Sequence, residues 1–188
     1  MTIGFEKYYL KVSTALIASI GLFTSSLGAV SFTVNSTVDS VDANPGDGIC
    51  ETTLPSECTL RAAIQETNAL SGADTIVLMN GTYILSIAGR RENMAFTGDL
   101  DIHDDLSIIG VDITSSIIDA GKVDRVFDVV DSADVTIDGM TIQNGDLDNV
   151  GAFGEHGGGI RNQGTLALNE VIVSGNTAGV DFGMCGCI

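Results

Sequence analysis

Two stretches decide the fold: Val135-Thr-Ile-Asp-Gly-Met-Thr-Ile-Gln-Asn-Gly145 and Leu166-Ala-Leu-Asn-Glu-Val-Ile-Val-Ser-Gly-Asn176. They align without gaps at an offset of 31 residues, and apolar residues coincide at 135/166, 137/168, 140/171 and 142/173. Each copy alternates apolar and polar residues, breaks, and alternates again, so each reads as strand, corner, strand. Asp138 and Asn169 occupy the break, where a short polar side chain tolerates the left-handed backbone of a tight corner. A looser copy precedes them, Leu106-Ser-Ile-Ile-Gly110 followed by Ile117-Ile-Asp-Ala-Gly121. A sandwich or barrel has no reason to repeat one strand–corner–strand unit. A solenoid must, because each unit buries its apolar side only against its neighbours. The expectation is an all-β chain wound as a right-handed single-stranded parallel β-helix, with apolar ladders inside and Asn stacked at corners.

Outward from the repeat, the punctuation by Gly, Asn and Asp continues. Short strands are expected at 75–79, 82–87, 100–102, 106–109, 116–119, 126–130, 135–137, 140–142, 165–168 and 171–173, which assigns β-helix coils to 73–178. Residues 32–72 read as an N-terminal cap: an alternating β-branched strand over 32–38, a turn-rich segment over 42–48, and one short α-helix over 59–70. On that helix Leu60, Ala63, Ile64 and Thr67 share the inward face, Arg61, Gln65 and Glu66 face outward, and Thr59 is the N-cap.

Residues 1–31 read as a signal peptide: Lys7 and Lys11 precede the apolar run 15–23, and small residues follow. Cleavage is favoured after Ser31, with sites after Gly28 and Ala29 as competitors and an uncleaved anchor helix as the alternative. Export places Cys50 and Cys58 where a disulfide persists. A zinc site made from all four cysteines, including Cys185 and Cys187, fits no common ligand spacing. The tail 179–188 carries no rung pattern and reads as the irregular end of a truncated chain. Such an end leaves the last coil open and favours self-association there.

The cap carries a resemblance. Gly48-Ile-Cys50 followed by Cys58-Thr-Leu-Arg-Ala-Ala-Ile-Gln-Glu-Thr-Asn-Ala69 resembles the domain named for its C-S-L-R-E-A signature, which opens exported bacterial β-helix proteins. Asp99-Leu-Asp-Ile-His-Asp-Asp-Leu-Ser-Ile-Ile-Gly110, Ser116-Ile-Ile-Asp119 and Asp124-Arg-Val-Phe-Asp128 look like the same proteins. Gly157-Gly-Gly-Ile-Arg-Asn162 and Val173-Ser-Gly-Asn-Thr-Ala178 resemble repeats of polymorphic outer-membrane and adhesin-like proteins. The resemblance spans about residues 32–178. The cap signature is its specific part, and the single repeat matches are weak. It implies an extracellular or outer-cell-surface location. One departure is physical: the signature's Ser and Glu form a capping box, but here Thr59 and Ala62 stand in their places. The forward hydroxyl bond survives and the reciprocal one does not, a loss of about 0.5–1 kcal/mol.

Composition narrows the function. Without residues 1–31 the chain has 24 acidic and 6 basic residues, a net charge of −18. Such a surface repels nucleic acid. Some proteins of the pectate-lyase-like fold cleave acidic polysaccharides, so Asp99, Asp101, His103 and Asp105 are the candidate metal ligands. Strand alternation puts them on one face and Leu100 and Ile102 on the other, where carboxylates could hold Ca²⁺; the plainer reading is a solvated outer face. A lyase also needs a base near the metal. Arg61 belongs to the cap helix, Arg125 is expected to pair with Asp124, and Arg161 has no place in the strand pattern. Asp104-Asp105 and Glu155-His156-Gly157 only echo the carboxylates of polygalacturonase-like enzymes. The chain has no Trp for sugar stacking. The expected function is a non-catalytic structural or adhesive module whose partner is a polysaccharide or a cell-surface protein. The alternative is a carbohydrate-active or carbohydrate-binding protein.

Overall fold

A computed structural model describes residues 28–130, 132–147 and 156–178. The signal-peptide assignment and the tail 179–188, with Cys185 and Cys187, fall largely or wholly outside these residues. Among the described residues the chain is mostly β, with one short helix and parallel sheets not closed into a barrel.

The strands are β1 (Ser31–Val34), β2 (Asp74–Leu78), β3 (Gly81–Ile84), β4 (Leu100–Ile102), β5 (Leu106–Ile109), β6 (Ser116–Asp119), β7 (Phe127–Val129), β8 (Asp134–Gln143), β9 (Ile160–Asn162) and β10 (Thr165–Ser174). Every pairing between them is parallel. One sheet runs β1-β2-β5-β8-β6-β3 with β10 also on β8, and a second runs β4-β7-β9. Both branches of the large sheet meet in β8, whose first half pairs with β5 and whose second half pairs with β6.

Along β2-β5-β8-β10, successive strands pair at offsets of 32, 29 and 31 residues. The last offset sets Val135 beside Leu166, Ile137 beside Leu168, Met140 beside Val171 and Ile142 beside Val173, the pairs that coincide in the sequence repeat. The bend between the two halves uses Gly139 (φ 67°) and Glu170 (φ 48°) rather than Asp138 and Asn169. The left-handed residue is therefore one position later than expected, and at 139 a glycine takes it without strain. Each expected strand pair across that bend is one ten-residue strand. β9 was not expected at all; it is short and too polar to announce itself.

Stacking in register turns alternation into ladders. Phe32, Ile76, Ile108, Ile137 and Leu168 form one, and Tyr83, Ile118, Ile142 and Val173 another. Ile76, Ile108, Ile118, Ile137 and Ile142 are fully buried, each contributing about 1.5–3 kcal/mol.

The helix α1 (Leu60–Ala69) lies at the start of the stack. Thr59 Oγ1 accepts from Ala62 N at 3.1 Å, as the cap assignment requires. The outward assignment of Arg61, Gln65 and Glu66 is corrected: all three are buried along with Leu60, Ala63 and Ile64. Arg61 pairs with Asp39 at 2.6 Å and donates to the carbonyls of Ala95, Gly98 and Asp99. Gln65 donates to Ala95 O and accepts from Asp42 N. Glu66 accepts from Gly46 N and Gly48 N, the two left-handed glycines of the 42–48 turn. Loops wrap what would have been the wet face, and its polar groups satisfy them. The Cys50–Cys58 disulfide closes the segment between that turn and α1, with Cα atoms 5.1 Å apart.

Candidate functional site

The second sheet holds the polar cluster. Its strands read Leu100-Asp-Ile102, Phe127-Asp-Val129 and Ile160-Arg-Asn162, in register. Leu100 stacks on Phe127 and Ile160 towards the apolar core, so the central residues Asp101, Asp128 and Arg161 form a ladder on the opposite face. That face is not solvated at Asp101 and Asp128. The segment following Arg90 folds over it, and Ala95 N donates to Asp101 Oδ2 at 2.8 Å. Asp99, Asp101 and Asp128 are 3%, 0% and 4% exposed.

Asp99, Asp101 and Asp128 each bring one carboxyl oxygen within 4.8 Å of the others. Arg125 Nε lies 2.8 Å from Asp99 Oδ2 and 3.9 Å from Asp124 Oδ1, so the expected pair with Asp124 is present and Asp99 joins it. Arg161 Nη1 lies 3.0 Å from Asp128 Oδ2. Burial pushes the Asp99 carboxyl up to about 8; Asp124 adds to this and Arg125 opposes it. Burial lifts Asp101 to about 6, with the Ala95 N–H opposing. Asp128 is raised by burial against the pull of Arg161. Asp101 Oδ1 and Asp128 Oδ1 are buried without a hydrogen-bond partner. A cleft of about 200 Å³, lined by Arg91, Glu92, Asn93, Asp99, Arg125, Asp128 and Arg161, opens beside the cluster.

Of the four candidate ligands, the structure brings Asp99 and Asp101 together and leaves two out. The Nε2 atom of His103 sits 2.6 Å from Asn93 O. Asp105 Oδ1 accepts from Asp134 N, tying one layer to the next. Asp128 was missed, although the sequence held its signal: Leu-Asp-Ile and Phe-Asp-Val are the same apolar–Asp–apolar triplet one layer apart. Of the polygalacturonase-like echoes, Asp104 Oδ1 accepts from Asp105 N and the His156 carbonyl accepts from Arg125; Glu155 lies outside the described residues.

The chain matches no protein-family model, no curated protein and no solved structure.

Proposed function

We propose that this chain is an exported module built as a right-handed parallel β-helix behind a CSLREA-type cap, and that it works as a structural or adhesive surface element rather than as an enzyme. The observation that supports this reading best is the in-register parallel stack, in which the sequence repeat and the strand pairing share the offset of 31 residues. Basic side chains act as ties between segments: Arg61 holds the cap to 95–99, Arg90 donates to Val123 O and Asp146 O, and Arg161 holds Asp128. The turns after β2 and β5 carry exposed Met79, Val111 and Ile113, an apolar corner suited to a partner surface. β10 is the other candidate contact. Leu168 on it is 40% exposed where its stacked equivalent Ile137 is 0%, so a second copy can add there. Sedimentation of the full exported chain, with and without reductant, reads that association.

One observation favours the carbohydrate-active reading: the cleft sets Asp99 and Asp128 beside Arg91, Arg125 and Arg161, the residue types a lyase combines. Incubation with pectate and alginate in Ca²⁺ decides between them. The expected result is neither unsaturated product nor new reducing ends. Turnover that Asp101→Ala abolishes would replace the structural reading with the lyase one.

A further inference from the structure

We propose that Asp99, Asp101 and Asp128 form an enclosed binding site for one divalent, oxygen-seeking cation, Ca²⁺ in preference to Mg²⁺, which locks the 91–98 segment onto the β4-β7-β9 sheet.

Three independent features lead there. The first is geometric. One carboxyl oxygen from each Asp lies within 4.8 Å of the others, a spread that a sphere of Ca–O radius about 2.4 Å spans. Mg²⁺ demands about 2.1 Å and near-octahedral order, which a set drawn from two strands and a loop residue is poorly placed to supply.

The second is an unmet need. Asp101 Oδ1 and Asp128 Oδ1 are buried and without partners, on strands whose register sets the two residues side by side. Buried carboxylate oxygens rarely go unpaired. Their other oxygens are already held, by Ala95 N and by Arg161. The bare oxygens remain after those two bonds are made.

The third is charge. The interacting carboxyls are Asp99, Asp101, Asp124, Asp128 and Glu92. The guanidinium groups around the cleft are Arg91, Arg125 and Arg161. Carboxyl groups outnumber guanidinium groups there, which favours a cation over an anion. The adjoining cleft gives the ion a route from solvent.

Because Ala95 both donates to Asp101 and accepts from Arg61 and Gln65, an ion here fastens the cap helix to the stack as well. This role is separate from adhesion or catalysis and survives the failure of either reading.

The test is titration of the full exported chain, stripped with EDTA, with CaCl₂ followed by calorimetry and native mass spectrometry, with circular dichroism as the check on folding. One Ca²⁺ per chain is expected, with Mg²⁺ at least about tenfold weaker. Asp101→Asn and Asp128→Asn, near-isosteric changes, should each weaken binding at least about tenfold. Asp105→Asn, whose carboxyl lies outside the cluster, should leave it unchanged. No saturable binding of one Ca²⁺ by the wild-type chain at millimolar concentration would overturn the proposal, whether or not the variants fold. Binding that persists undiminished in folded Asp101→Asn and Asp128→Asn would overturn it as well.

Discussion

Arg61 carries the sharpest test of how the cap is built. Its guanidinium is fully buried, 2.6 Å from an Asp39 carboxylate that is 1% exposed, and it donates to three carbonyls at 2.8–3.2 Å. Arg61→Met keeps most of the stem volume and removes the charge. Asp39 is then buried with only Ser86 N and Ile87 N for company, and the carbonyls of Ala95, Gly98 and Asp99 lose a donor. Removing one partner of a buried ion pair costs about 3–5 kcal/mol. The comparison is Arg161→Met, whose side chain is 32% exposed although its Asp128 partner is 5% exposed; solvent at that guanidinium makes its loss smaller than the loss of Arg61. Equilibrium unfolding in urea with the disulfide intact measures both. The double variant Arg61→Met with Asp39→Asn should recover part of the loss, because it removes the stranded charge. If Arg61→Met costs no more than Arg161→Met, the guanidinium faces water and the buried cap is wrong.

Three other outcomes follow from the stack. Ile137→Ala, in the middle of a ladder and 0% exposed, should cost about 3–4 kcal/mol, whereas Leu168→Ala on the same ladder, 40% exposed, should cost about 1 kcal/mol; equal losses in a urea titration would contradict the ladder. Cys58→Ser opens a disulfide of sequence separation 8 and should lower stability by about 2–3 kcal/mol, read as a shift in the urea midpoint that reductant reproduces in the wild-type chain. If the chain is processed on export, the mature protein should begin at Ala29 or Val30. Val30 N donates to Asp74 Oδ1, Val30 O accepts from Thr75 N, and Ser31 is already in β1. Intact mass decides this, and a start at Phe32 would show that these contacts are dispensable.

What was legible in the sequence was what repeats locally. The offset of 31 became a strand register because a parallel stack aligns equivalent residues, and Thr59 announced its cap because the bond spans only three residues. What failed depended on segments distant in sequence. Helical periodicity assumes that one face meets water, and nothing within 59–70 reveals that Asp39, the 42–48 turn and the 95–99 segment cover it. The same blind spot made Asp99 and Asp101 look like a wet face. His103 and Asp105 were grouped with them by a period of two that ends with β4 at Ile102, where the chain turns away. Asp128 was in view only to a reader who stacked the triplets as well as the repeats.

Stacking also fixes which polar ladders are stable alone. Asp119 sits beside Gln143, and the Gln143 and Asn144 side chains both donate to its Oδ2. A neutral donor over a carboxylate is satisfied by the register itself. Asp101 beside Asp128 is the opposite case. Two carboxylates one strand spacing apart, about 4.8 Å, repel by about 3 kcal/mol at an effective dielectric constant near 20. Arg161 offsets this on one side only. The metal-free protein should therefore gain from Asp101→Asn. The new amide keeps an oxygen for Ala95 N and turns a donor towards Asp128, meeting both bare oxygens at once. In EDTA at pH 8, where Asp101 with its carboxyl near 6 is ionised, the variant should be more stable than wild type by about 1–3 kcal/mol. Adding Ca²⁺ should raise wild type towards it and leave the variant where it was. A variant less stable than wild type in EDTA would mean that the two carboxylates do not oppose each other, and that register does not set the chemistry of this face.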